Sequence, residues 1–161
     1  MKAFVVDVNV PIVANGRGTH ADLNCQGASI EALREVVVSG MIVLDDQMLI
    51  FQEYRKYLNP SGQPGVGDYF MQWVWENQAV AERCEQVLLT IVANGFEEFP
   101  TDPRLNQFDL ADRIFVAVAK ASKSNPVVLN AVDTDWWEHQ NALKENGIQI
   151  GFLCPQHMLR R

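Results

Sequence analysis

Residues Phe108 to Trp137 read FDLADRIFVAVAKASKSNPVVLNAVDTDWW. An almost wholly apolar helix, Ile114 to Ala121, is preceded by Asp109 and Asp112. Pro126 sits in the short loop that follows, and the apolar run Val127 to Val132 reads as a strand. Asp133 abuts that strand, and Asp135 comes just after it. Carboxylates beside apolar elements are costly unless something compensates their charge. Here Asp109, Asp112, Asp133 and Asp135 sit at one helix start and one strand end. In an open α/β sheet, ligands collect at the carboxyl ends of the strands. Further carboxylates sent to that edge would mark a site.

Outward from this stretch, short apolar strands alternate with helices. Lys2 to Val8 is a β-branched apolar run, read as a buried first strand that delivers Asp7. Met41 to Leu44 reads as the second strand, Phe96 to Phe99 as the third and Ile148 to Leu153 as the last. Helices are expected from Ser29, as a cap, through Val38, and from Asp45 or Asp46 to about Leu58. Two more are expected over Tyr69 to Glu76 and Ala79 to Ala93, and another from about Asp135 to Glu145. Val10 to Gly27 reads as a loop or broken helix. Ser61 to Gly67, SGQPGVG, lacks the Gly-Lys-Ser/Thr of a Walker A loop and reads as a lid or turn. The alternation predicts an α/β fold with a central parallel sheet and helices on both faces. Right-handed crossovers then align the strand C-termini along one edge.

The chain of 161 residues suits a single domain over 1–161, and 48% apolar residues argue against disorder. No apolar run is long enough for a membrane span. The N-terminus reads as a strand and not a signal peptide, so the expected location is the cytoplasm. Cys25, Cys84 and Cys154 are odd in number and far apart, and read as reduced, partly buried thiols. His20, His139 and His157 show no metal-ligand spacing. A net charge of −7 disfavours a broad basic nucleic-acid surface but suits an acidic metal site.

Each acid has a structural reading beside the functional one. Asp7 ends a buried strand, but could cap the next turn. Glu53 lies near an apolar stripe of its helix with Leu49, Ile50 and Tyr57, or it is an edge Glu paired with Lys56 or another cation. Asp109 suits an N-cap, which leaves Asp112 as the functional group. Asp135 suits the cap of the helix beginning near Trp136, which leaves Asp133 for the site. Asp7, Glu53, Asp112 and Asp133 could not converge while ionised without repulsion. Divalent cations resolve that conflict, and oxygen ligands point to Mg²⁺ or Mn²⁺. Two such ions can activate a water and stabilise the leaving oxygen of a phosphodiester.

Phe4-Val5-Val6-Asp7-Val8-Asn9, the Asp-led helix from Asp112 to Ala119, and Ala131-Val132-Asp133-Thr134-Asp135-Trp136 together resemble the PIN-domain family. The likeness spans roughly residues 3 to 153, with Glu53 where the family places its mid-chain Glu. It implies a Rossmann-like three-layer α/β/α fold and a Mg²⁺- or Mn²⁺-dependent endoribonuclease that attacks phosphorus with metal-activated water. By position, Asp7, Glu53, Asp112 and Asp133 would be metal ligands and catalytic acids, with Asp135 an auxiliary ligand. Asn9 would orient Asp7 or a water. The chain departs from the family at Ala131-Val132, where Thr-Asn is usual, and in the longer Val10–Gly27 segment. Compact members of this family resemble the chain in size, as VapC-like toxins of toxin–antitoxin pairs, so an antitoxin protein and a homodimer are expected partners beside RNA.

Arg17, His20, Arg55, Lys56 and Arg113 are candidate phosphate contacts, and Trp136 and Trp137 candidate stacking partners for unpaired bases. The alternative to an enzyme is a PIN-like binding module with weak or lost catalysis. A response-regulator-like acidic pocket is disfavoured, because the last strand runs into Cys154-Pro155 without a Lys.

Overall fold

The computed structural model describes residues 1–17, 21–93 and 95–159. His20 and Gly18 in the first long connection, and Asn94, lie outside the described residues. Five strands form one parallel sheet: β1 (Ala3–Val6), β2 (Met41–Asp45), β3 (Cys84–Val87), β6 (Val127–Asn130) and β7 (Gln149–Phe152). Their order is β3-β2-β1-β6-β7. Between them run α1 (Asn9–Ala14), α2 (Leu23–Ser39), α3 (Leu49–Arg55), α4 (Val66–Asn77), α5 (Arg113–Ala121), α6 (Thr134–Glu138) and α7 (Gln140–Glu145), with α8 (Pro155–Leu159) at the end. Helices flank the sheet in a three-layer α/β/α arrangement, as the alternation of elements predicts.

Burial explains why β1 takes the centre. Ala3, Phe4, Val5 and Val6 are all buried, which an apolar run with no polar face requires of a central parallel strand. The strand pairs with β2 on one side and β6 on the other. The chain adds β2 and β3 to one flank, then returns to add β6 and β7 to the other. The gap between the C-termini of β1 and β6 is therefore the topological switch point, where α/β sheets open a crevice. Helix α5 packs its buried Ile114, Phe115, Val116, Ala117 and Val118 against β1, β2 and β6.

Several local expectations are corrected. The stretch Ala79 to Ala93 is not helical. It holds a turn and then β3, the true third strand, paired with β2 from Cys84 to Val87. Tertiary contacts decide this: the Glu85 carboxylate accepts hydrogen bonds from the Ser122 hydroxyl and the Lys123 N–H. Phe96 joins no central strand; Ile91–Val92 (β4) and Gly95–Phe96 (β5) form a small separate hairpin. Helix α2 begins well before Ser29. Asp22 caps it by accepting the Cys25 N–H at 2.8 Å, and Ser29 is buried inside it. Val10–Gly27 is thus the broken-helix alternative, with α1 and the start of α2 on either side of its break. One long helix from Asp135 to Glu145 is also replaced by two short ones, α6 and α7, hinged at His139.

The cysteines depart from the expected thiols as well. Cys25 and Cys154 form a disulfide that ties the first turn of α2 to the segment after β7, across 129 positions of sequence. Folding brings both to one buried place, which their spacing in the chain does not reveal. Cys84 alone stays a thiol, buried in β3, with burial pushing its pKa up to about 12. No helix among the described residues is long and apolar enough to cross a membrane.

A crosslink of this span removes loop entropy from the unfolded chain and is worth about 2–4 kcal/mol. Replacing Cys25 and Cys154 together by Ser should therefore lower the thermal midpoint by about 5–15 °C. Circular-dichroism melts of the wild type with reductant should reproduce the drop, and an unmoved midpoint would show that the bond does not form.

Candidate functional site

Three segments meet at the switch point. Asp7 is the first residue past β1, and its N–H donates to the Leu129 carbonyl at 3.1 Å, extending the ladder by one step. That step carries its carboxyl group to the carboxyl edge of the sheet, still buried. Asp112 ends a 3₁₀ turn, Leu110–Asp112, that leads into α5. Asp109 caps this turn by accepting the Ala111 N–H at 3.0 Å. Asp133 follows β6 and caps α6, its Oδ1 accepting the Asp135 N–H at 3.0 Å. One carboxylate oxygen from each of Asp7, Asp112 and Asp133 lies within 4.8 Å of the others.

A hydrogen-bonded frame holds the three in place. Asn130, fully buried at the end of β6, reaches Asp7 Oδ2 with its Nδ2 at 3.4 Å, while its Oδ1 accepts the Asp133 N–H at 3.2 Å. Asn9 N–H donates to Asp7 Oδ1 at 3.3 Å, and Asn9 Oδ1 accepts the Ala131 N–H at 2.8 Å. The orienting role expected of Asn9 thus runs through its backbone N–H, while its side chain ties α1 to the end of β6. Asp135 stands behind the site and outside the three-acid cluster. Its Oδ2 accepts the Asp109 N–H at 2.8 Å, and its Oδ1 lies 3.1 Å from His139 Nδ1. Asp133 joins the cluster as expected, and the capping role expected of Asp135 falls to it as well.

The electrostatics are unfavourable for three bare carboxylates. Among the described residues no Lys, Arg or His forms an ion pair with Asp7, Asp112 or Asp133. Burial pushes the Asp7 pKa up to about 7, with the Asp133 charge adding to it. Burial likewise pushes Asp112 up to about 10, reinforced by Asp7 and Asp133. Asp112 Oδ2 is buried with no hydrogen-bond partner, as is Asn9 Nδ2. An orphaned buried carboxylate oxygen costs free energy unless something supplies positive charge. Hard divalent cations bind such oxygen clusters, so the donor set fits Mg²⁺ or Mn²⁺.

Other expected site residues lie elsewhere. Glu53 does not join the cluster; half-buried on α3, its Oε1 accepts from Lys56 Nζ at 2.6 Å. The apolar stripe near it turns inward through Ile50 and Tyr54, and Tyr54 donates its hydroxyl to the Val6 carbonyl at 2.6 Å. Trp136 is fully buried, edge-on to Phe108 at 5.2 Å between ring centroids, so it has no face to offer a base. Trp137 packs against Phe152. Arg113 points away from the acids. Its guanidinium donates to the carbonyls of Leu105, Asn106 and Phe108 and lies over the Phe99 ring. Asn130 is a site residue that sequence reasoning missed. A lone Asn closing the apolar run Val127-Val128-Leu129 was its only signal.

Comparison with protein-family models, with curated proteins and with solved structures finds no match to this chain.

Asp7 and Asp112 have folded pKa values above the unfolded carboxylate value. Folding therefore takes up protons above about pH 4, and stability present below that pH is lost as pH rises through about 7 for Asp7 and about 10 for Asp112. In chelator, the wild type should melt lower at pH 8 than at pH 5. Asp112→Asn should raise the pH 8 midpoint by about 2–4 °C, the response to about 1 kcal/mol at this chain length. Melts across pH on both proteins check the sign, and a wild type that gains stability toward pH 8 would contradict it.

Proposed function

We propose that this chain is a divalent-metal-dependent nuclease of PIN-like type, acting on RNA in the cytoplasm. The observation that carries the reading is the convergence of three carboxylate oxygens, from three separate segments, at the switch point of a parallel sheet. The unpartnered Asp112 Oδ2 supports it, because a structural acid this deep would be expected to have donors. The order of the motifs along the chain and their arrival at one sheet edge support the PIN-like assignment. RNA rather than DNA follows from that resemblance. The Cys25–Cys154 bond weighs against the cytoplasmic location, because thiols are kept reduced in the cytosol.

Asp7, Asp112 and Asp133 would hold Mg²⁺ or Mn²⁺, which supplies Lewis-acid stabilisation of a phosphoryl oxygen and a water of lowered pKa. The chain contributes preorganisation. Asn130 fixes Asp7 and the backbone of Asp133 together, so that two of the acids move as one. Asn9 fixes the start of α1 to the end of β6. Asp109 and Asp135 brace the turn that presents Asp112.

The second reading, a binding module with weak or lost catalysis, draws on Glu53. Its pairing with Lys56 leaves three acids where four were expected.

Calorimetric titration with Mn²⁺ separates the two. The wild type should bind saturably, Asp112→Asn should abolish binding, and Asn130→Ala should weaken it by about 10–100-fold, as loss of an outer partner does. Single-stranded RNA should be cut by the wild type and left intact by Asp112→Asn. Saturable Mn²⁺ binding without cleavage would favour the binding module, and no Mn²⁺ binding at all would remove the metal reading.

A further inference from the structure

The end of β7 is tied to the acidic centre and to the disulfide at once. Leu153, one residue past β7, donates its N–H to the Asn130 carbonyl at 2.9 Å. Asn130 is the residue whose side chain spans Asp7 Oδ2 and the Asp133 N–H. Cys154 comes next in the chain, bonded to Cys25 in the first turn of α2. One peptide link and one hydrogen bond therefore separate the disulfide from the frame of the site. Among the described residues, little else holds this end. β7 is an edge strand, paired only with β6. The Leu153 bond is the last step of that ladder, where strands fray unless tied down. Helix α8 follows with five residues, of which Met158 alone is buried. A crevice of about 60 Å³ opens on the disulfide, lined by both cysteines and by Asp22, Pro155 and His157. That is room for about two waters, or for the sulfur end of a small thiol.

We infer that the Cys25–Cys154 bond is a redox latch on the acidic centre. Closed, it pins Leu153 and so holds Asn130 in the orientation that joins Asp7 to Asp133. A small dithiol opens it. One thiolate of the reductant attacks a cystine sulfur, forms a mixed disulfide and releases the other cysteine as a thiol. The second thiol of the reductant then displaces the first cysteine and closes a cyclic disulfide. Two electrons pass to the protein, and the two protons of the dithiol end on Cys25 and Cys154. With the latch open, the chain frays from Leu153 onward. Asn130 loses its outer tie, and the acids lose their preorganisation for a cation. What the latch controls rests on the metal-centre reading above. Disulfides in reducing compartments are mostly transient, catalytic or redox-sensing. There the latch would stand open and close under oxidation, so that metal affinity follows the redox state.

The test compares the full chain when oxidised, after reduction with dithiothreitol and anaerobic desalting, and with Cys25→Ser and Cys154→Ser combined. Mn²⁺ calorimetry should show the reduced chain binding about tenfold more weakly than the oxidised one, as loss of an outer partner does. The double variant should match the reduced chain with or without reductant. In Asn130→Ala the oxidised and reduced forms should bind alike, because the link between bond and acids is already cut. Ser122→Ala separates coupling from general loosening. It removes a hydrogen bond at the β3 corner, on the far flank of the sheet, and should lower the thermal midpoint while keeping wild-type Mn²⁺ affinity. In metal-free protein, hydrogen exchange at the Leu153 and Asp133 amides should speed up on reduction, with the β2 amides unchanged. Exchange blind to reduction, a redox effect undiminished in Asn130→Ala, Ser122→Ala as weak as the reduced chain, or an air-oxidised chain with all of its cysteines free would overturn the proposal. The two readings fail separately. Mn²⁺ uptake equal in both redox states keeps the metal centre and removes the latch. Faster exchange at Leu153 and Asp133, with no Mn²⁺ uptake in either state, keeps the latch and removes the metal centre.

Discussion

Parallel pairing between β1 and β6 is the constraint on which the rest depends. Phe4, Val5 and Val6 stand opposite Val127, Val128 and Leu129, and both strands are buried almost throughout. A slip of one residue would turn every side chain of β1 to the other face, so the register is fixed by the core. With that register set, Asp7 falls beside Asn130, and the turn after β6 places Asp133 within reach. Apolar packing thus decides where the charge goes. The sheet gains from burying β1, and the carboxylate at its end is carried along into a place that water would not choose for it.

Four buried acids in this protein show how differently the same group can be treated. Asp45 ends β2, next to β1, and is as buried as Asp7. Its two oxygens accept three N–H groups, from Gln47 in the turn and from Leu49 and Ile50, which begin α3. Asp68 is fully buried in α4. Burial pushes its pKa up, but hydrogen bonds from Asn59, Gly65 and Asn15 outweigh that and hold it below the usual carboxylate range. Asp7 is held by longer contacts, from the Asn9 N–H at 3.3 Å and the Asn130 amide at 3.4 Å, and Asp112 Oδ2 has no partner. Depth alone does not decide how well a buried acid is held; the number of close N–H donors does. By that measure Asp45 and Asp68 hold the fold together, and the acids at the switch point are kept in reserve.

Much of this was legible in the chain. The runs at 2–8, 41–44 and 127–132 read as strands and hold β1, β2 and β6, and their alternation with helices predicts a parallel sheet. Asp7, Asp112 and Asp133 were legible because each directly abuts an apolar element. Glu53 was not, because the sequence left it even between the site and an ion pair with Lys56, and the half-buried side chain pairs with Lys56. Trp136 failed as a base platform for a related reason: adjacency to Asp133 in sequence says nothing about which way a helical residue faces. The stretch 79–93 was misread because β3 is only four residues long, and its pattern carries no clear period of two. Its strand state comes from β2 and from the Ser122–Lys123 corner, which are remote in sequence. The cysteine pairing is likewise a product of folding.

The Cys25–Cys154 bond turns most of the chain into a covalent ring. All five central strands but the first fall within it, together with the small hairpin and the 59–65 connection. A protease that nicks an exposed turn of the ring opens it without releasing either piece. β1 hangs on the N-terminal arm of the ring, joined through α1 and the start of α2. A nicked molecule would therefore keep Asp7 tethered to the fragment that bears Asp112 and Asp133, at a high local concentration set by the ring and not by dilution.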